Sequence, residues 1–332
     1  MAQPLTRSID QLRSWSSDWA GHRVAVLGLG ATGFALVDTF VELGCDVLAL
    51  ANEAGPDTLR ILEVLGVVPV VAGDRGLSAA LREFSPEALV LSPGVPGDSP
   101  VVTAAENQGV LVWSDLDAAW RVRDKREHLS PWVLVAGETY GRRLAELAAR
   151  LLNAGDVPAL VVGHHSEVLL DALRDPHDYQ ALIVLASDNQ AQLLARGEGH
   201  RSPYVAVCVE ETSALTNGAL FDGTQLACVY RKSLGPSMSL VEDADVSDGA
   251  RAIGVGFDSP DRSDLGLVEG ILVDRAFLDD RANHALEVST LEELSEAGWT
   301  IPEDLPVIVG AIAVARAFDV SPAVIAGVLT LP

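Results

Sequence analysis

Gly28-Leu29-Gly30-Ala31-Thr32-Gly33 stands between an apolar run and a stretch of helical periodicity. Glycines at these three positions permit a tight turn, close approach of a diphosphate to backbone N–H groups, and close packing of helix on strand. The pattern points to a nucleotide diphosphate without choosing the nucleotide. A dinucleotide would want an acid at the end of the next strand to hold a ribose hydroxyl. That strand closes with Ala51-Asn52-Glu53, so only Glu53 offers one, slightly late. A glycine turn kept for packing alone is the alternative. A second loop, Ser92-Pro93-Gly94-Val95-Pro96, also follows an apolar run. It would stand at a strand's carboxyl end, where open α/β sheets hold their ligand crevice; an ordinary turn is its alternative.

A third glycine loop reads Gly137-Glu138-Thr139-Tyr140-Gly141-Arg142-Arg143. A phosphate loop cradles phosphate with backbone N–H groups, reaches its outer oxygens with Lys and holds Mg²⁺ with a hydroxyl. Here the strand-glycine-helix frame is present without the Lys or the hydroxyl. The chain's two lysines, Lys125 and Lys232, both lie elsewhere. Arg can pair with phosphate, but its planar fork is bulkier than an ammonium group. His164-His165 have no third ligand at metal-binding spacing, and a polar loop at a strand end is the plainer reading. Glu210-Glu211 read as a solvated acidic loop rather than as acid/base groups. No Gly-x-Ser-x-Gly elbow is present.

The elements that must position these loops alternate. Residues 24–29 form a buried run, and Phe34, Val37, Phe40 and Val41 then recur at helical spacing. Strands are expected at 46–51, 67–71, 88–91 and 110–112, with helices at 57–65, 77–84 and 101–107 between them. This alternation implies a parallel sheet with helices on both faces. A charged, proline-bounded stretch at 121–131 is the linker candidate. Strands follow at 132–136, 159–162, 181–185 and 204–209, with a helix bearing Leu144, Leu147, Ala148, Leu151 and Leu152 on one face. Beyond residue 225 come short strands at 226–230, 252–255 and 271–273, then apolar helices at 307–318 and 322–329.

The 332 residues carry a net charge of -24, which repels phosphate backbones and speaks against a nucleic-acid partner. Cys45, Cys208 and Cys228 are widely spaced without a CxxC and read as reduced core residues. No signal-peptide core and no membrane-length apolar run is evident, which predicts a cytoplasmic location.

Taken in order, VLGLGATG (26–33), LSPGVP (91–96), WSDLDAAWRV (113–122), TQLACVY (224–230), GARAIGVGF (249–257), LGLVEGILVDRAF (265–277) and IVGAIAVARAFDVSPAVIAGVL (308–329) resemble the D-glutamate-adding branch of the Mur ligase family. The resemblance covers the family's first two domains. It implies an α/β fold: a Rossmann-like parallel-sheet domain of UDP-sugar-binding type over 1–129, then a P-loop-like, ATPase-type central domain over 130–332. It places uridine-diphosphate contacts on Gly28, Gly30, Ala31, Thr32 and Gly33, near Asn52, and on Ser92, Pro93 and Gly94. The family usually has Asp near Asn52.

The second half departs from the family at four places. Gly137 and Gly141 frame a loop with one extra residue, in which Arg142 and Arg143 replace Lys and Thr. Ala186 stands where the family has a magnesium-binding Glu, with Asp188 the nearest acid. The loop after 204–209 lacks the family's His, and the family's modified Lys is missing. The family's third domain would begin where residue 332 closes the chain. Together these departures predict a vestigial ATP loop, no catalytic residues, no bound metal, and neither ATP nor Mg²⁺ as cofactor. The expected function is that of an inactive relative in cell-wall precursor synthesis, binding a UDP-muramoyl ligand or a protein partner. The alternatives are the ATP-dependent ligase itself, with Arg142 in the place of the Lys, and an NAD-type oxidoreductase built on Gly28–Gly33.

Overall fold

A computed structural model describes residues 8–194, 201–212 and 219–331 of the chain. Val24, Ala25, Val26 and Leu27 are buried in succession. Such a run cannot be the half-exposed face of a surface element and suits a strand covered on both sides. It forms β1 (Arg23–Leu27), followed by α1 (Ala31–Glu42), β2 (Asp46–Ala51), α2 (Pro56–Val64), β3 (Val70–Val71), α3 (Asp74–Phe84), β4 (Ala88–Leu91), α4 (Pro100–Glu106), β5 (Leu111–Ser114) and α5 (Asp115–Arg121). The five strands make a parallel sheet in the order β3-β2-β1-β4-β5. The chain thus works outward from β1 on one side, then returns to β4 on the other. That reversal makes the carboxyl ends of β1 and β4 a topological switch point, the place where open α/β sheets hold ligands.

The strand expected over 67–71 is only two residues long. Pro69 cannot donate to a ladder and confines pairing at this sheet edge to Val70 and Val71; Val68 is exposed.

The chain continues through β6 (Trp132–Ala136), α6 (Tyr140–Ala154), β7 (Ala159–Gly163), α7 (Leu169–Arg174), β8 (Ala181–Ala186), α8 (Asp188–Leu194), β9 (Val205–Cys208), β10 (Ala227–Arg231), α9 (Gly235–Glu242), β11 (Arg251–Val255), β12 (Asp264–Val268), β13 (Ile271–Asp274), β14 (Leu286–Thr290), α10 (Leu291–Glu296), α11 (Leu305–Ala317) and α12 (Pro322–Thr330). Nine strands form the second sheet, in the order β14-β13-β12-β11-β10-β9-β6-β8-β7. It is parallel from β7 to β12 and antiparallel across β13 and β14. Leu144, Leu147, Ala148, Leu151 and Leu152 bury one face of α6, and α11 is buried all round. The two helices touch where Gly310 meets Leu144: a Cβ at Gly310 would lie 2.4 Å from Leu144 Cδ1.

The chain divides into two compact units. One holds Met1–Leu129, Glu167–Pro176 and Gln192–Glu198; the other holds Ser130–Ser166, His177–Ala191 and Gly199–Pro332. The stretch carrying α7 therefore belongs to the first unit: Arg174 pairs there with Asp38 and bonds the Thr39 hydroxyl. Cys45, Cys208 and Cys228 are buried free thiols. Among the described residues no helix is long and apolar enough to cross a membrane.

Candidate functional site

In the first unit, Gly28 leaves β1 with φ +95°, and its N–H donates to Leu50 O at 2.8 Å. A Cβ at Gly28 would sit 2.9 Å from both Ser92 Cβ and Val95 Cγ2. The loops after β1 and β4 are therefore in contact, and Ser92 N–H donates to Leu27 O at 3.0 Å to hold them. Gly33 lies in the first turn of α1, where a Cβ would fall 1.8 Å from Gly28 O. Gly28 and Gly33 are thus required by packing alone.

Gly30 differs from both. It is exposed, it is the N-cap of α1 with no side-chain cap, and nothing lies within 4 Å of where its Cβ would stand. Ala31, Thr32 and Gly33 open the helix behind it, so the positive end of the helix dipole faces open space. Pro93 and Gly94 cross the same edge from β4, and Gly94 is likewise exposed with open space around it. The structure brings the two expected loops together at the switch point between β1 and β4. Asn52, after β2, shares this edge, but its amide donates to Asp74 Oδ1 at 3.0 Å and Ala72 O at 3.4 Å. Asp74, in the first turn of α3, holds Asn52 at this corner and was missed by sequence reasoning. Its signal was Gly-Asp ahead of a helical pattern.

In the second unit, β6 runs into Gly137, which has φ +125°, and α6 begins at Tyr140. β9 lies beside β6, with Cys208 opposite Ala136. Two residues beyond Cys208, the Glu210 side chain turns into the glycine loop. Its Oε1 accepts the N–H groups of Thr139 at 3.1 Å, Tyr140 at 3.0 Å and Gly141 at 3.0 Å; Oε2 accepts from Thr139 at 3.2 Å. A Cβ at Gly137 would stand 1.9 Å from Oε1.

The solvated acidic loop expected at Glu210-Glu211 is therefore half wrong. Glu211 is exposed, but Glu210 is only 8% exposed. Charge-assisted bonds at a helix N-terminus compensate the carboxylate for lost water. Residues 213–215 of the expected His-lacking loop lie outside the described residues.

Both arginines reach carboxylates. Arg142 bonds Glu146 Oε1 at 2.9 Å, one turn along α6, and Arg143 bonds Asp304 Oδ1 at 2.7 Å. Ala186 is buried and pairs with Ala136, and Asp188 accepts the Thr212 hydroxyl. His164 and His165 place their rings 3.8 Å apart after β7. Burial, then His165, holds His164 below the usual histidine range, against the pull of Glu138. Among the described residues no three His, Cys, Asp or Glu side chains are grouped to hold a metal ion. The residues around Gly137–Gly141, as seated, do not fit a nucleotide triphosphate, because a carboxylate oxygen stands at the donors a phosphate would need.

Residues 22–114 match the family model described as the Mur ligase MurD-like N-terminal domain. The chain is 40% identical to a UDP-N-acetylmuramoylalanine--D-glutamate ligase of Leifsonia xyli subsp. xyli, over 96% of this chain and 66% of that protein. It is 33% identical to a protein of the same name from Tropheryma whipplei, over 95% and 67%.

The chain belongs to the Mur ligase family.

Within that family it is MurD-like, and it spans about two thirds of the length of these relatives. Solved Mur ligase structures share the fold. A UDP-N-acetylmuramate:L-alanyl-gamma-D-glutamyl-meso-diaminopimelate ligase from Neisseria meningitides superposes with a TM-score of 0.51 at 13% identity, covering 94% of this chain and 98% of that one. A murein peptide ligase from Psychrobacter arcticus gives 0.50 at 14%, covering 93% and 68%.

Proposed function

We propose that this Mur ligase family member acts in peptidoglycan precursor synthesis and binds UDP-N-acetylmuramoyl-L-alanine at the switch point of its first unit. The observation that carries the reading is the meeting of Gly28–Gly33 with Ser92–Gly94 there. The donors on offer to a diphosphate are backbone N–H groups of α1's first turn, and Gly30 leaves room for the phosphates to reach them. Asn52 and Asp74 stand at the corner where a ribose or uracil would look for partners.

On turnover, the relatives' names favour a ligase that joins D-glutamate to this substrate over an inactive relative. One specific observation favours the inactive reading: the Glu210 carboxylate bonded to the glycine loop of the second unit. In that reading the chain holds the UDP-muramoyl ligand, or a protein partner in cell-wall synthesis, without using ATP or Mg²⁺.

Calorimetric titration with UDP-N-acetylmuramoyl-L-alanine, ATP-Mg²⁺ and NAD⁺ tests these readings. Binding of the muramoyl ligand with amide shifts near Gly30 and Ser92 is expected. Its absence rejects the proposal and leaves a protein partner as the remaining role. Magnesium-dependent ATP hydrolysis coupled to D-glutamate addition would decide for the ligase.

A further inference from the structure

We infer that Glu210 is a built-in occupant of the second unit's phosphate position, an autoinhibitory contact that keeps the glycine loop closed to phosphate until the side chain leaves. The inference rests on reading Gly137–Gly141 as a phosphate-loop frame, and it is independent of the muramoyl site in the first unit.

One oxygen, Oε1, gathers three successive N–H groups, those of Thr139, Tyr140 and Gly141. Successive N–H groups turned onto one anionic oxygen are how such loops hold phosphate. The N-cap Thr139 adds no side-chain cap to α6, so the carboxylate is what satisfies this helix start. The loop is also shaped to its occupant, since any side chain at Gly137 would displace Oε1. The backbone of Glu210 is fixed from below, where the Cys208 thiol donates to its carbonyl at 3.3 Å.

The nearby cations are drawn elsewhere, Arg142 to Glu146 and Arg143 to Asp304. Glu138 within the loop and Asp188 after β8 add negative charge at the same sheet edge. An entering phosphate must therefore replace a charge-assisted carboxylate and then share the edge with it.

The test uses the whole chain, with inorganic pyrophosphate as the probe and the Thr139, Tyr140 and Gly141 amides as the readout. In the wild-type protein these amides should resist hydrogen exchange without ligand and stay unmoved by pyrophosphate. Glu210→Ala should show saturable shifts there, with affinity at least about tenfold above wild type. Equal affinity in the two proteins, or a folded Glu210→Ala that does not respond, overturns the inference. If Glu210→Ala does not fold, Glu210→Gln decides. Faster exchange at the three amides with a pyrophosphate response supports the inference; exchange and response like wild type overturn it. Gly30 and Ser92 amides report the first unit separately, so failure of the muramoyl reading is seen apart from failure here.

Discussion

Arg143 donates from Nη2 to Asp304 Oδ1 across 2.7 Å, tying the helix behind the glycine loop to the start of α11. Asp304 also accepts the Thr300 N–H at 2.9 Å, so the carboxylate organises the entry to α11. The Arg143 side chain is 47% exposed, and solvent screening keeps such a pair weak. Arg143→Ala is expected to cost no more than about 1 kcal/mol in urea unfolding. It should leave every ligand titration unchanged; a specific loss of nucleotide binding would show that Arg143 faces phosphate after all.

The pair between Arg316 and Asp274 is of a different kind. Asp274 is 0% exposed, accepts from Arg316 Nε at 2.8 Å and takes the N–H groups of Ala276 and Phe277. Arg316 also donates to the carbonyls of Val320 and Phe277. Asp274→Ala leaves that guanidinium buried without its counter-charge, at an expected cost of about 3–5 kcal/mol. Chemical denaturation checks this, and a cost under about 1 kcal/mol would mean that water reaches the pair.

The glycines of the first loop should separate by role. Gly33→Ala brings a methyl group against Gly28 O and should cost about 1–3 kcal/mol. Gly30→Trp meets open space and should leave the melting temperature near wild type, yet abolish binding of UDP-N-acetylmuramoyl-L-alanine. Undiminished binding by a folded Gly30→Trp would place the ligand elsewhere.

Burial, helped by Glu87 and Asp46, pushes the Cys45 thiol from 9.0 up to about 12. Burial does the same for Cys208, to about 12, and for Cys228, to about 11. The unfolded chain releases these protons near its ordinary value while the folded chain still holds them. The stabilising contribution is full below that value and is lost as pH rises towards 11–12. The urea midpoint should therefore fall between about pH 8 and pH 10.5. Replacing Cys208 with Ala should flatten that slope, and an unchanged slope would assign it to other groups.

Much of the parallel architecture was legible because buried strands announce themselves as uninterrupted apolar runs: the spans expected at 46–51, 88–91 and 132–136 are those of β2, β4 and β6. The hairpin of β12 and β13 was not drawn from the sequence. Its turn is Glu269-Gly270, both at positive φ, between paired Val268 and Ile271. That is a two-residue hairpin connection whose Glu-Gly spelling is less familiar than Asn-Gly. In the candidate sites, glycines were legible because backbone geometry demands them. Where long side chains turn was not, since Arg142, Arg143 and Glu210 choose among partners that sequence neighbours do not reveal. Glu210 meets its loop only because β9 lies beside β6, a fact of sheet order.

The return of α7 to the first unit sets an order of events during synthesis. Asp38 and Thr39 on α1 wait for Arg174, and Leu169 and Leu170 bury themselves only once α7 has been made. A nascent chain that has reached residue 129 holds all five strands of the first sheet but lacks this covering helix. The amino-terminal unit is thus sealed late, after β6, α6 and β7 have left the ribosome, and a fragment cut at 129 would be born with that seam open.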